Sequence, residues 1–263
     1  MRGNNLFVRM KFADSNVTKI SFGCINNQGA RNYQEDSFGF SSIDKTEIKK
    51  NGFTAMVADG MGGLSGGAQI SAYVVSAMLE MQKKRNPNVP AGIHLAQSLR
   101  MINNHVLASG MKGGSTAAVV MCLPSGVHWC TAGDSRIYLA RGDTLTALNE
   151  DTDYLNCLIE DVISGDMTFE DAGGDEKKDA LAQYIGCKNG INPEANAKPF
   201  LPQNKDKILI CSDGVYNALT SAELTEALTD NAYEAAERIE AGVLSKGYSD
   251  QDNFTAIVLG FLK

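Results

Sequence analysis

The sequence predicts an α+β fold, a layered sandwich of antiparallel strands with helices held to the outer faces. Short β-branched runs follow one another through residues 116–148, separated by "PSG", "GD" and "RGD", the spacing of hairpins rather than of crossovers. Helical stripes come in pairs, at 68–110 and 221–247, instead of alternating singly with strands. At 43% hydrophobic over 263 residues, with no Pro/Ser-rich boundary, the chain can bury one large core as a single domain, 1–263.

Residues 1–18 read as an N-terminal lead-in. "VTKISFGCI" alternates and is rich in β-branched residues, so it is a strand, and "NNQGARNYQED" is a loop. "GFTAMVAD" is a second strand, running into "DGMGGLSGG", which no regular element tolerates. "AQISAYVVSAMLEMQKK" places Ile70, Val74, Ala77, Met78 and Met81 on one helical stripe. "NPNVP" stops that helix, and "AGIHLAQSLRMINNHVLASG" forms the next, so the first half reads strand, strand, helix, helix. "TAAVVMCL", "VHWCTAG", "SRIYLAR" and "TLTAL" then read as an antiparallel meander. Residues from about 150 to 200 are polar and mostly helical: "EDTDYLNCLIEDVISG" and "EKKDALAQYIG" are helices, and "GGDE" and "INPEANAKPF" are breaks. That segment is expected to form a flap subdomain. The strand "DKILICSD", the helices "SAELTEALTD" and "AYEAAERIEAGVLSKG", and the strand "NFTAIVLGFL" close the chain.

With 31 acidic and 24 basic residues, the formal charge of −7 argues against a nucleic-acid or anionic-membrane partner. An acidic protein that handles phosphate needs a cation in between. The N-terminus has no apolar core of signal-peptide length and no later run suits a membrane helix, so a soluble, cytoplasmic protein is expected. Cys24, Cys122, Cys130, Cys157, Cys187 and Cys211 form no C-x-x-C pair and read as reduced core thiols. His94, His105 and His128 stand alone and read as surface or core residues.

Three apolar runs end on an aspartate: "TAMVADG" at Asp59, "HWCTAGD" at Asp134 and "ILICSDG" at Asp213. A fourth, "DNFTAIVLGF", begins on Asp252. Any one of these is most simply a turn residue. Several brought together at the mouths of buried strands would need a cation, because an unpaired carboxylate near a low-dielectric core prefers to be protonated. Oxygen ligands without histidine select Mg²⁺ or Mn²⁺ over Zn²⁺. "RNYQED" adds Glu35 and Asp36, and Arg31 supplies a planar fork suited to phosphate.

One stretch, Cys130–Arg136, also fits C-x-x-G-x-x-R, the spacing of a cysteine-dependent phosphatase loop. That loop needs a helix after the arginine, to face the anion and lower the thiol pKa. "IYLARGD" is instead an alternating strand, and Asp134 would put a carboxylate inside the anion loop. The balance favours Asp134 over Cys130 and Arg136.

In order, "RNYQED", "ADGMGG", "GGSTAAV", "AGDSRIYL", "CSDGVYNAL" and "DQDNFTAIVL" resemble the metal-dependent serine/threonine protein phosphatases of the type 2C (PPM) family, most closely the bacterial type. The resemblance runs from about residue 19 to 262. It implies a four-layer α-β-β-α sandwich of two antiparallel sheets flanked by helices, with a binuclear centre at one edge. By position, Asp59 would bridge two Mg²⁺ or Mn²⁺ ions, with Glu35 and the carbonyl of Gly60 on one and Asp213 and Asp252 on the other. Asp134, with Asp213, would hold a third ion. Arg31 would bind the substrate phosphate, and Asp36 would stand behind the ligands and orient metal-bound water. The implied reaction is hydrolysis of phosphoserine and phosphothreonine by direct attack of a metal-bridging hydroxide, with no phosphoenzyme. The implied partners are phosphorylated proteins, substrates of a cognate Ser/Thr kinase, met by a monomer acting in signalling.

Three positions depart from the family pattern: Gln34 replaces the usual Asn, Met61 stands where animal relatives carry a histidine, and Thr152-Asp153 replaces a frequent Asp-His. The competing reading from a different class is a weak or inactive binding and regulatory module on the same sandwich. Loss of metal ligands would mark it, yet Glu35, Asp59, Asp213 and Asp252 are all present.

Overall fold

The computed structural model describes residues 7–62, 66–151, 162–165, 167–174, 181–229 and 231–263. Its strands in chain order are β1 (Phe7–Arg9), β2 (Lys19–Asn27), β3 (Ser37–Phe40), β4 (Phe53–Ala58), β5 (Gly60–Met61), β6 (Gly114–Ser115) and β7 (Ala117–Leu123). They continue with β8 (Gly126–Ala132), β9 (Arg136–Arg141), β10 (Thr144–Ala147), β11 (Glu194–Ala195), β12 (Lys207–Cys211) and β13 (Phe254–Leu262). The helices are α1 (Lys45–Asn51), α2 (Gly66–Lys83), α3 (Ala91–Ser109), α4 (Phe169–Gly174), α5 (Asp213–Tyr216), α6 (Ser221–Ala227) and α7 (Ala232–Ser245).

One sheet has the order β1-β2-β13-β12-β9-β10 and the other β11-β8-β7-β4-β3, while β5 and β6 form a separate ribbon. Every pairing is antiparallel. Period-two alternation divides each strand between two cores. Ile257, Leu259 and Phe261 of β13 meet Phe53, Ala55 and Val57 of β4 between the sheets. The opposite residues of β13, Phe254, Ala256 and Val258, pack under α6 and α7. On the other side, Met56 and Ala58 of β4 pack with Ile70 and Val74 of α2 and Leu95 and Leu99 of α3. The result is the α-β-β-α order. Phe22, Phe40 and Phe53 form a ring cluster in the middle layer, with centroids 4.9, 5.4 and 6.1 Å apart. Removing fully buried Phe53 as Phe53→Ala would cost about 3–5 kcal/mol. Among the described residues no helix is long and apolar enough to cross a membrane.

Several details differ from the sequence reading. The run 116–148 is two hairpins, not one meander: β7 and β8 pair in one sheet, β9 and β10 in the other. Gly133, at φ +103°, turns the chain between them, where a Cβ would run into Thr116. Alternation reports which residues are buried but not in which sheet. The 1–18 lead-in contributes an edge strand, since Phe7–Arg9 pairs with Lys19–Ser21, and Met10, Phe12 and Val17 are buried. The described end of "EKKDALAQYIG" is not helical, because Ile185 exchanges backbone hydrogen bonds with Ser115 at 2.8 and 3.0 Å. The "INPEANAKPF" break contains β11, an edge strand beside β8. Of the helix expected over "EDTDYLNCLIEDVISG", residues 162–164 are helical, whereas Thr152, Asp153 and Cys157, like part of "DGMGGLSGG", lie outside the described residues. Residues 37–51 carry a strand and a helix not read from sequence. The signals for α1 are present: the Asp44 side chain accepts from the N–H groups of Thr46 and Glu47, and Gly52 ends the helix at φ +79°.

Candidate metal centre

Both sheets deliver aspartates to the same edge of the sandwich. Asp59 follows β4 directly, Asp134 lies just past the end of β8, Asp213 opens α5 after β12, and Asp252 stands before β13. With Glu35 and Arg31 from the β2–β3 loop they line one cavity of about 530 Å³, together with Gly60 and Met61. All the residues expected at a metal centre are therefore neighbours, except Asp36, which is buried behind the cavity wall.

Each acid is held by local pairing. Asp59 extends the β4–β7 ladder by one step: its N–H donates to Thr116 Oγ1 at 2.9 Å, and the Thr116 N–H donates to the Asp59 carbonyl at 2.8 Å. Thr116 Oγ1 also meets Ser135 Oγ at 2.6 Å, tying the Asp59 and Asp134 turns together. Gly60 packs so closely on the carbonyl oxygens of Gly67 and Glu35 that no side chain fits. Asn253 joins the acidic loop to β13: its Nδ2 donates to the carbonyls of Gln28 and Tyr33 at 2.8 and 2.9 Å, and its Oδ1 accepts from the Glu35 N–H at 2.7 Å. Asp36 Oδ2 accepts from Ser212 Oγ at 2.7 Å and Thr255 Oγ1 at 2.8 Å. Arg31 Nη2 donates to Asp252 Oδ2 at 2.7 Å.

Crowding of like charges dominates the electrostatics. Burial, and then the charges of Asp36, Asp213, Asp134 and Asp252, hold the Asp59 carboxyl well above the usual range. Burial and the charge of Asp213 push Asp134 up to about 7. Burial, opposed by the Ser212 and Thr255 hydroxyls, takes Asp36 to about 6. Asp213 is raised by burial and by Asp252.

Among the described residues no three His, Cys, Asp or Glu side chains already stand close enough to hold an ion. Arg31 instead occupies Asp252. The donor set nevertheless fits a hard divalent cation: it is all oxygen, its members repel one another, and Glu35 Oε1 and Asp36 Oδ1 are buried with no hydrogen-bond partner.

The thiolate alternative does not survive. Cys130 is fully buried in β8, opposite Val119 and Ala195, and burial pushes its thiol up to about 12. A strand, β9, follows it instead of a helix. Arg136 is engaged elsewhere, donating to both oxygens of Asp151 at 2.9 and 2.6 Å and stacking 3.6 Å over the Tyr216 ring. Of the other cysteines, Cys122 and Cys211 are buried as expected, whereas Cys24 and Cys187 are only half-buried. His128 is buried, His94 is half-buried and His105 stacks on Tyr73 at 5.0 Å. Gln34 uses its Oε1 to accept from the Asp36 N–H at 2.9 Å.

Thr116, Asn253, Ser212 and Thr255 were not singled out from sequence. Thr116 and Asn253 sit inside the quoted "GGSTAAV" and "DQDNFTAIVL", where a polar side chain beside an apolar run was the available signal. Nothing local marks Ser212 and Thr255 as partners of Asp36, because the pairing spans 176 and 219 residues.

No protein-family model matches the chain. Over 242 residues it is 27% identical to the serine/threonine phosphatase Stp of Listeria innocua, covering 87% of this chain and 90% of that protein. The solved serine/threonine phosphatase of S. agalactiae superposes with a TM-score of 0.74 over 93% of this chain and 100% of that one, at 21% identity. The catalytic domain of the serine/threonine protein phosphatase PstP, solved in complex with 2 manganese ions, gives a TM-score of 0.69 over 93% and 99%, at 22% identity. The chain is thus similar in sequence over most of its length to a bacterial serine/threonine phosphatase, and it shares over nearly all of its length the fold of solved serine/threonine phosphatases.

Proposed function

We propose that the chain is a divalent-cation-dependent phosphatase that removes phosphate from phosphoserine and phosphothreonine in proteins. The carrying observation is the convergence of Glu35, Asp59, Asp134, Asp213 and Asp252 from both sheets on one cavity with Arg31 at its rim. Asp59, Glu35 and the Gly60 carbonyl would hold one Mg²⁺ or Mn²⁺, Asp213 and Asp252 a second, and Asp134 with Asp213 a third. Bound there, such cations make water a stronger acid and neutralise charge on phosphoryl oxygens.

The chain's own groups supply positioning. Arg31 pairs with Asp252, so cation binding by Asp252 would leave the guanidinium fork to bind two phosphate oxygens. Asp36, clamped by Ser212 and Thr255, keeps its free Oδ1 fixed behind Asp59 and would orient water there. Met61 lines the cavity without a proton to give, so the leaving alkoxide would take its proton from solvent. Substrates would be phosphoproteins made by a cognate kinase, met in the cytoplasm by a monomer.

The test is the initial rate on p-nitrophenyl phosphate as Mn²⁺ is titrated in, repeated with EDTA and after thiol alkylation. Activity that rises with metal, vanishes in EDTA and survives alkylation is expected. A full complement of bound metal without turnover on this or any phosphopeptide would instead identify a binding module.

A further inference from the structure

A second cavity, of about 900 Å³, opens at the other end of the strands that carry the aspartates. Gly52, just before β4, and His128, early in β8, line it, whereas Asp59 and Asp134 stand beyond the far ends of those strands. Six-residue β4 puts about 20 Å between the two ends.

The lining has the opposite chemistry to the acidic site. Lys49, Lys50 and Arg85 contribute three cations, and no aspartate or glutamate lines the cavity. Among the described residues none of the three forms an ion pair. The 19-residue helix α3 starts in the wall: Pro90, Ala91 and Gly92 line the cavity, no side chain caps that end, and its first turn carries no acid. Its first N–H groups and the positive end of its dipole therefore suit an anion.

An independent observation comes from His128. It is 7% exposed, and its Nε2 is buried with no hydrogen-bond partner. A ring nitrogen left unpaired at such depth costs stability unless a ligand hydrogen-bonds to it. Arg85 Nε is likewise buried and unpartnered. The remaining walls are mostly apolar, Ser125 and Asn196 excepted, and stiff, with five of the chain's six prolines, at positions 87, 90, 124, 193 and 199. Fixed φ angles make the cavity pre-formed, and its volume lies in the range of small-molecule sites.

We propose that this cavity is a second ligand site, built for an organic phosphate. The phosphate meets Lys49, Lys50, Arg85, the His128 imidazole and the N-terminus of α3, while an apolar body lies along the proline walls. The site is separate from the acidic one and does not depend on the phosphatase reading.

The chain has three histidines, so ring-labelled histidine gives a sparse NMR spectrum. Phenylphosphonate, which cannot be hydrolysed, is titrated into the full chain in EDTA, with inorganic phosphate and benzoate as parallel probes. The His128 signals should shift saturably while those of His105, outside the cavity, stay in place. Phenylphosphonate should bind at least tenfold more tightly than benzoate or inorganic phosphate. The variant Lys49→Ala/Lys50→Ala/Arg85→Ala should weaken it by tenfold or more while metal-activated aryl phosphatase activity stays within twofold of wild type. If that variant melts early, Lys49→Gln and Lys50→Gln singly should each weaken binding severalfold. An unmoved His128, or equal affinity in the charge variants, would overturn the site. Benzoate binding as tightly as phenylphosphonate would overturn the phosphate assignment, and equally tight inorganic phosphate would overturn the apolar body.

Discussion

The two ends of the same strands carry opposite charge. At the ends after β4 and β8, aspartates crowd a cavity with one arginine at its rim, and burial and mutual repulsion keep several of them above the ordinary carboxylate range. At the other end three cations, a buried histidine and an uncapped helix start surround a cavity with no acid in its lining. A net charge of −7 averages over both. Whole-chain charge therefore says little about what any one cavity binds. On the proposed reading the acidic end would handle phosphate only with cations added, whereas the basic end already offers donors to an anion.

The largest effect expected is at the acidic end. Asp213→Ala and Asp59→Asn should each lower kcat/KM for p-nitrophenyl phosphate by roughly a thousandfold or more, since each removes several kcal/mol of charge stabilisation. Near-wild-type rates in either would break the assignment of that end. In the metal-free state the same variants should melt no lower than wild type, because each removes a repelled carboxylate.

Arg31→Ala comes next, with a loss of roughly ten- to a hundredfold in kcat/KM on the aryl phosphate. Arg31→Lys should recover only part of it, because an ammonium lacks the two-pronged fork. Full recovery would mean that Arg31 contributes charge alone.

A smaller effect concerns pH and metal together. Asp36 and Asp134 have folded-state pKa values raised to about 6 and about 7. The folded metal-free chain thus holds more protons than the unfolded one between about pH 4 and 7. The contribution of these two groups to stability is highest below the ordinary carboxylate range and is lost as pH rises through that window. Calorimetry in EDTA should show the melting temperature falling by several degrees from pH 5 to pH 8, and saturating Mn²⁺ should cancel the fall. A melting temperature that rises with pH in EDTA would contradict the crowded-carboxylate account.

The smallest effect on activity is expected of Cys130→Ala. It should leave kcat unchanged while costing about 1 kcal/mol of stability, because the thiol only fills space in β8. Loss of turnover without loss of fold would return Cys130 to the chemistry.

Much of this architecture was legible in the chain. The stripe Ile70, Val74, Met78 lies on the buried face of α2, and the runs ending at Asp59, Asp134 and Asp213 are strands that stop where the acids begin. These features are local: side-chain periodicity and the cost of burying a carboxylate act over a few residues. The pairing of Phe7–Arg9 with β2 and the strand at Glu194–Ala195 were not legible, because a strand of two or three residues has too few positions to display a period.

The sequence by itself determined most of the longer strands and helices, the all-oxygen donor set and the order of the motifs. Only the tertiary structure decided that hairpins adjacent in sequence belong to different sheets. It also decided that Asp36 is clamped from 176 and 219 residues away. It alone gathered Lys49, Arg85, Pro90, His128 and Pro199 around one cavity. The reason is physical: periodicity records how much of each residue is buried, whereas the identity of its neighbours is set by long-range strand pairing and layer packing, which leave no local mark.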